Sequence, residues 1–170
     1  MLALYSVFDK LVRTLIKISG WVAGVFILLT SFIVTYEVLM RGFFNAPTEW
    51  SIEISVYLIM ASGFLGLAPA LTGNNHISVD LITSKLSPKR NKVLHTFTSV
   101  IGLIFCLILT ISSADMVFVS YEINSLSTST LRIPLFIPQS AIPVGSALIV
   151  LEFVRQLLGN LVARPAKEGK

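Results

Sequence analysis

Residues 21–36 read WVAGVFILLTSFIVTY and carry no charged side chain. A helix of a soluble bundle needs one polar face towards water, and this stretch has none. The uncharged run is longer than the stretch itself, because Lys17 and Glu37 enclose about 19 residues. A bilayer core about 30 Å thick is crossed by roughly 20 apolar residues of helix. The stretch therefore predicts a transmembrane helix.

Three more uncharged runs follow along the chain. They contain about 26, 22 and 19 residues and are enclosed, in chain order, by Glu53 and Asp80, Lys92 and Asp115, and Arg132 and Glu152. Hydrophobic residues make up 54% of the 170 positions and charged residues only 13%, which is too apolar for an ordinary soluble domain. We predict an all-α membrane protein with four transmembrane helices.

The boundaries follow from charges and helix breakers. We predict a single four-span membrane domain with spans at about 15–40, 48–72, 88–121 and 138–158. Residues 77–86 are too short and too polar to cross, so they predict a short amphipathic surface helix between spans 2 and 3. Residues 124–138, which are rich in Ser, Thr and Pro, should be extended rather than helical. Residues 159–170 should form a disordered tail.

Lysine and arginine are divided unevenly between the two sides. Eleven of them lie before span 1, between spans 2 and 3 or near the end of span 4 and beyond, whereas only Arg41 and Arg132 lie in the two other loops. The positive-inside rule then places both the N and C termini in the cytoplasm. The net charge of +4 reflects this topology. The sequence contains no basic cluster with stacking aromatic residues, so it does not predict nucleic-acid binding. The partner expected from the composition is membrane lipid.

Motifs for catalysis or metal binding are missing from the sequence, so we expect no enzymatic activity. Cys106 is the single cysteine. His76 and His95 fall near the predicted cytoplasmic face, where a pair at one depth would be able to hold a haem. A redox membrane anchor is therefore one alternative. A stand-alone small transporter is another, although the centres of the spans carry no ionisable residue.

Glu152 and Arg155 lie one turn apart near the end of span 4, so we expect them to pair.

Residues 41–53, RGFFNAPTEWSIE, concentrate charge between spans 1 and 2. Glu37 precedes Arg41 by one helical turn, and Pro47 suits the first turn of span 2. We therefore expect Arg41 to be held by Glu37 and Glu53 in a carboxylate cluster at the membrane boundary. Trp50 suits the interfacial aromatic belt.

Small residues mark span 2. Gly66 lies four residues from both Ser62 and Ala70, and Gly63 lies beside this stripe. Such spacing lets helices approach closely in lipid. The approaching helix can belong to the same bundle or to another subunit.

Four short motifs follow one another along the chain. They are Arg41 with Phe43-Phe44-Asn45, Pro47, Trp50 and Glu53; Phe64-Leu65-Gly66; His76-Ile77-Ser78-Val79-Asp80; and Leu131-Arg132-Ile133-Pro134. In this order, and with four spans, the chain resembles the small membrane subunit (DctQ-type) of a tripartite ATP-independent periplasmic (TRAP) transporter over about residues 10–160. It departs from the family pattern at Ile52, at Thr72 and Asn74, and at Gln139-Ser140.

The resemblance implies a non-catalytic small permease subunit of the bacterial inner membrane. It implies that a periplasmic substrate-binding protein delivers an organic-acid anion, and that a large membrane subunit carries the substrate and sodium sites. This chain would scaffold the large subunit and bind no cofactor. Its candidate subunit-interface or interfacial-anchor residues are Arg41, Pro47, Trp50, Glu53, Gly63, Gly66, His76 and Asp80.

The predicted topology is testable by cysteine labelling in intact cells. In a Cys106→Ser background, a cysteine at Asn45 should react with a membrane-impermeant thiol reagent, and one at Lys167 should not. The physical reason is the excess of Lys and Arg on the side of the termini. The reverse labelling pattern would show that the termini are outside.

Overall fold

The computed structural model describes the backbone of residues 2–73 and 88–162 and the side chains of residues 5–72 and 96–159. In these ranges the chain forms five helices: α1 (Leu2–Phe43), α2 (Glu49–Gly73), α3 (Pro88–Glu122), the short α4 (Phe136–Gln139) and α5 (Ala141–Val162). Four segments are long and apolar enough to cross a membrane: Tyr5–Phe43, Glu49–Thr72, Thr96–Glu122 and Phe136–Gly159. The predicted all-α fold with four transmembrane helices is confirmed.

The first helix is longer than the span predicted at residues 15–40. α1 has 42 residues, which corresponds to about 63 Å at 1.5 Å per residue. It begins well before the expected boundary near residue 15, because Phe8, Val12 and Ile16 follow one another at helical spacing and pack into the core. α5 likewise continues to Val162, into the tail predicted from residue 159. The predicted surface helix at 77–86 and the rest of the tail lie outside the described residues.

The long helices pack in the order α1, α2, α5, α3. α1 packs mainly against α2, α2 also packs against α5, and α5 packs against α3. Two glycines allow the close approach of α5. A Cβ on Gly145 would lie 2.5 Å from the carbonyl oxygen of Phe64 in α2, and a Cβ on Gly102 of α3 would lie 2.5 Å from Cζ of Phe153. α5 is therefore the central helix of the bundle.

Many small polar side chains within the spans form hydrogen bonds with neighbouring carbonyls or with each other, whereas the buried Ser55 Oγ has no partner among the described residues. Thr30 Oγ1 donates to the carbonyl of Phe26 at 2.8 Å, as is common for threonine in helices. Thr110 Oγ1 of α3 lies 3.0 Å from Oγ of the buried Ser146 in α5. Such hydrogen bonds remove the cost of placing hydroxyl groups in an apolar environment.

Charged side chains join α1 to α5 at the end of the bundle that holds the N-terminal part of α1 and the C-terminal part of α5. We call this the terminal end. Glu152 is fully buried, and Arg155 Nε and Nη2 donate to its two carboxylate oxygens at 2.7 and 2.6 Å. Arg155 Nη1 also donates to Asp9 of α1 at 3.0 Å. The predicted pairing of Glu152 with Arg155 is confirmed, and Asp9 extends it to a second helix.

Candidate functional site

The opposite end of the bundle carries the connections at residues 44–48 and 123–135, and we call it the loop end. Glu37 of α1 holds the start of α2 there. It is only 7% exposed. Its carboxylate accepts hydrogen bonds from the Thr48 backbone N at 2.9 Å, from Thr48 Oγ1, and from Ser51 Oγ at 3.1 Å. The start of a helix has unpaired N–H groups and favours negative charge. Glu37 therefore caps α2 from a neighbouring helix.

The connection between α1 and α2 reverses the chain within a few residues. The Ala46 N–H donates to the Met40 carbonyl at 3.2 Å, and Asn45 has a φ of 51°. Helices commonly end with a residue in the left-handed conformation after the last turn, and asparagine tolerates this conformation. Pro47 was expected in the first turn of α2, but it lies two residues before Glu49. Thr48 separates Pro47 from α2, because its N–H and hydroxyl donate to Glu37 just before the helix begins.

Arg41 is not part of a carboxylate cluster. It is exposed and forms no hydrogen bond or ion pair with the described residues. The expected pairing with Glu37 or Glu53 is therefore wrong, because Glu37 is directed to the start of α2 and Glu53 to a different loop. Trp50 is 37% exposed, and its ring packs against Tyr36 with centroids 6.0 Å apart. Its place at the membrane interface stays a prediction.

Residues 123–135 form a small hairpin between α3 and α4. The Ser127 N–H donates to the Ile133 carbonyl at 2.9 Å, and the Leu135 N–H donates to the Ser125 carbonyl at 2.9 Å. Arg132 lies in the turn with a φ of 47° and is exposed. The prediction of a non-helical segment holds up to Leu135, after which α4 begins.

Two glutamates of α2 bind this hairpin. Glu53 accepts hydrogen bonds from Ser129 Oγ and, at 2.7 Å, from the Tyr57 hydroxyl. Glu49, one turn earlier, accepts one from Thr130 Oγ1 at 3.0 Å. The Ser/Thr-rich composition of the hairpin thus supplies donors to carboxylates that lie 76 and 81 positions away in the chain. The sequence analysis did not predict this contact. A usable signal was the run of Ser and Thr residues in one loop and the acidic residues at the start of span 2, which lie on the same side of the membrane.

The small residues of α2 divide between two faces. A Cβ on Gly66 would lie 3.7 Å from Cβ of Ala23, so Gly66 packs within the bundle against α1. A Cβ on Gly63 would meet no atom within 4 Å, and Gly63 is exposed. Gly66 therefore serves the internal contact between α1 and α2, whereas Gly63 lies on an outward face.

The remaining candidates, His76 and Asp80, lie outside the described residues, as does the side chain of His95. Their predicted roles stay predictions. In the part of the chain that the structure describes, no three His, Cys, Asp or Glu side chains come together in a way that would hold a metal ion.

Residues 30–163, which include all of these loop-end contacts, match the family described as "Tripartite ATP-independent periplasmic transporters, DctQ component". The chain belongs to this family. The predicted resemblance is thereby confirmed, and with it a multi-pass location in the bacterial inner membrane.

Two relatives from Haemophilus influenzae show how far the similarity extends. The chain is 30% identical over 117 residues to a putative TRAP transporter small permease protein of strain ATCC 51907, a match that covers 69% of this chain and 65% of the relative. It is 26% identical over 141 residues to the sialic acid TRAP transporter permease protein SiaT of strain 86-028NP, a match that covers 82% of this chain and 22% of SiaT. The chain thus spans less than two thirds of the length of each relative.

The capping role of Glu37 is testable by thermal melting of this DctQ component in detergent. Glu37→Ala should lower the melting temperature by about 2–4 °C, because the start of α2 loses its acceptor. Arg41→Ala is the matched control. It lies one turn away on the same helix and makes no hydrogen bond or ion pair among the described residues, although its charge acts on Glu37 at longer range. It should therefore lower the melting temperature by less than Glu37→Ala does. Equal losses in the two variants would contradict the capping role.

Proposed function

We propose that this DctQ component scaffolds the large membrane subunit of a sodium-coupled, binding-protein-dependent TRAP transporter that imports an organic-acid anion. The family match supports the coarser statement that the chain is a small permease component of a TRAP transporter. The scaffold role rests on one observation. Carboxylates of α1, α2 and α5 bind other parts of the same chain.

These contacts restrain the bundle at both ends. At the loop end, Glu37 joins α1 to α2, and Glu53 joins α2 to the hairpin that follows α3. At the terminal end, Arg155 and Glu152 of α5 are joined to Asp9 of α1. A transporter that moves its substrate by domain motion needs elements that slide or rotate past each other. Charged contacts that tie neighbouring helices at both ends favour a static body instead.

We assign the substrate and sodium sites to a separate large subunit. SiaT, which is named as a sialic acid permease, is several times longer than the segment that this chain matches. Most of that relative therefore has no counterpart in this chain. Sialic acid is itself an organic acid, which supports the proposed substrate class. The family match gives no support to the alternative of a haem-binding redox anchor.

The loop end is the proposed contact for the periplasmic binding protein. In the predicted topology, with both termini in the cytoplasm, the loop end faces the periplasm. It exposes Arg41 and Arg132 together with the carboxylate of Glu49. Exposed charges of both signs on a restrained surface suit a transient polar contact with a soluble partner.

Reconstitution separates the scaffold role from stand-alone transport. Liposomes that contain only this chain should show no uptake of sialic acid or C4-dicarboxylates under a sodium gradient. Uptake should require the large subunit and the binding protein together, because the proposed substrate and sodium sites lie outside this chain. Sodium-driven uptake by the purified 170-residue chain alone would contradict the scaffold role.

A further inference from the structure

Among the described residues, α3 is the least covered of the spanning helices. Within the described part of the chain it packs extensively only against α5 and the short α4. Apolar side chains at spacings of three and four residues form a stripe along its exposed face, and their exposed fractions lie between 52% and 63%. They are Phe97, Ile101, Ile104, Ile108, Ile111 and Phe118.

One carboxylate interrupts this stripe. Asp115 lies four residues after Ile111 and three before Phe118, so it shares their helix face. It is exposed and forms no hydrogen bond or ion pair with the described residues. Glu37 and Glu152, which also lie in spans, are buried and bonded to other side chains. Glu122 is also exposed and without such a bond among the described residues, but it is the last residue of α3. Asp115 is the unbonded acid that lies two turns inside the span.

The contacts of α5 fix the depth of Asp115. Thr110 bonds to Ser146, and the neighbouring Gly145 touches Phe64 of α2. Phe64 lies about 22 Å from the start of α2, and Asp115 lies about 7 Å from Thr110 back towards the loop end, at 1.5 Å per residue. Asp115 is thus about 15 Å below the start of α2 and about 10 Å from the end of α3 at Glu122. It lies in the half of the apolar span Thr96–Glu122 that is nearer the loop end, away from the centre of the span.

A carboxylate that faces lipid at this depth is strongly disfavoured, and ionisable residues in spans almost always face protein or pair with opposite charge. We propose that the exposed face of α3 binds a transmembrane helix of the large subunit, and that Asp115 pairs there with a basic side chain of that helix. A single anion on an otherwise apolar face fits a helix that carries one cation at matching depth. This inference rests on the proposed function, because it takes the large subunit as the partner.

The length of SiaT supports this choice of partner. This chain accounts for 22% of that permease, so much of the permease is available to cover α3 from outside. The outward face of α2 around Gly63 is the competing surface. It is apolar and carries no unpaired charge among the described residues, so lipid can cover it without an electrostatic cost.

Photocrosslinking in the assembled complex tests the proposed face. A benzophenone amino acid at Ile111 should crosslink to the co-expressed large subunit. The same residue at Leu28 of α1 or Ile59 of α2, which are exposed to a similar extent, should not. Crosslinks from Leu28 or Ile59 but not from Ile111 would overturn this inference and leave the scaffold role standing. Failure of the wild-type chain to co-purify with the large subunit would overturn both.

Substitutions at Asp115 test the ion pair. Asp115→Asn should reduce the amount of large subunit that co-purifies by roughly tenfold or more, because a cation is left buried without its partner. Asp115→Glu, which keeps the charge, should retain more of the complex. Glu122→Gln removes an exposed charge two turns further along α3 and should have no effect. The melting temperature of the isolated chain should be the same for Asp115→Asn and the wild type. Undiminished recovery with Asp115→Asn would show that Asp115 needs no partner.

Discussion

A carboxylate inside an apolar bundle is stable only where neighbouring groups donate hydrogen bonds to it, and this constraint sets how the helices of this chain meet. Glu37 is nearly buried at the loop end and finds its donors at the start of α2. Glu152 is fully buried near the terminal end, where Arg155 binds both of its oxygens and reaches Asp9 of α1. α1 is thereby fixed to α2 at one end and to α5 at the other.

Between these two ends, packing depends on small residues rather than on charge. Gly145 lets α5 approach the backbone of α2, and Gly102 makes room for Phe153. The central position of α5 leaves outward faces on α1, α2 and α3. In a membrane such faces meet either lipid or another subunit. If this DctQ component binds a large subunit as proposed, the relevant question is which face meets it. α3 differs from the other two helices because its unpaired charge, Asp115, lies within the span, whereas the unpaired Arg41 lies near the end of α1.

The sequence predicts the four spans well because lipid imposes a simple requirement, a run of about 20 uncharged residues for each crossing. It predicts polar contacts well only when they are local, as for Glu152 and Arg155. It cannot say which helix a side chain faces. Arg41 lies one turn from Glu37, yet Glu37 binds the start of α2. The contacts from Glu53 to Ser129 and from Arg155 to Asp9 join residues 76 and 146 positions apart, so they depend on the assembled bundle.

The claim that this bundle is a static body is tested most directly by electron spin resonance distances in the assembled transporter. Spin labels at Gly42 and Thr128 report the loop end, and labels at Lys10 and Leu158 report the terminal end, all in a Cys106→Ser background. Each pair should give one narrow distance distribution, unchanged when substrate-loaded binding protein and sodium are added to the complex. A shifted or second distance in either pair would contradict the claim.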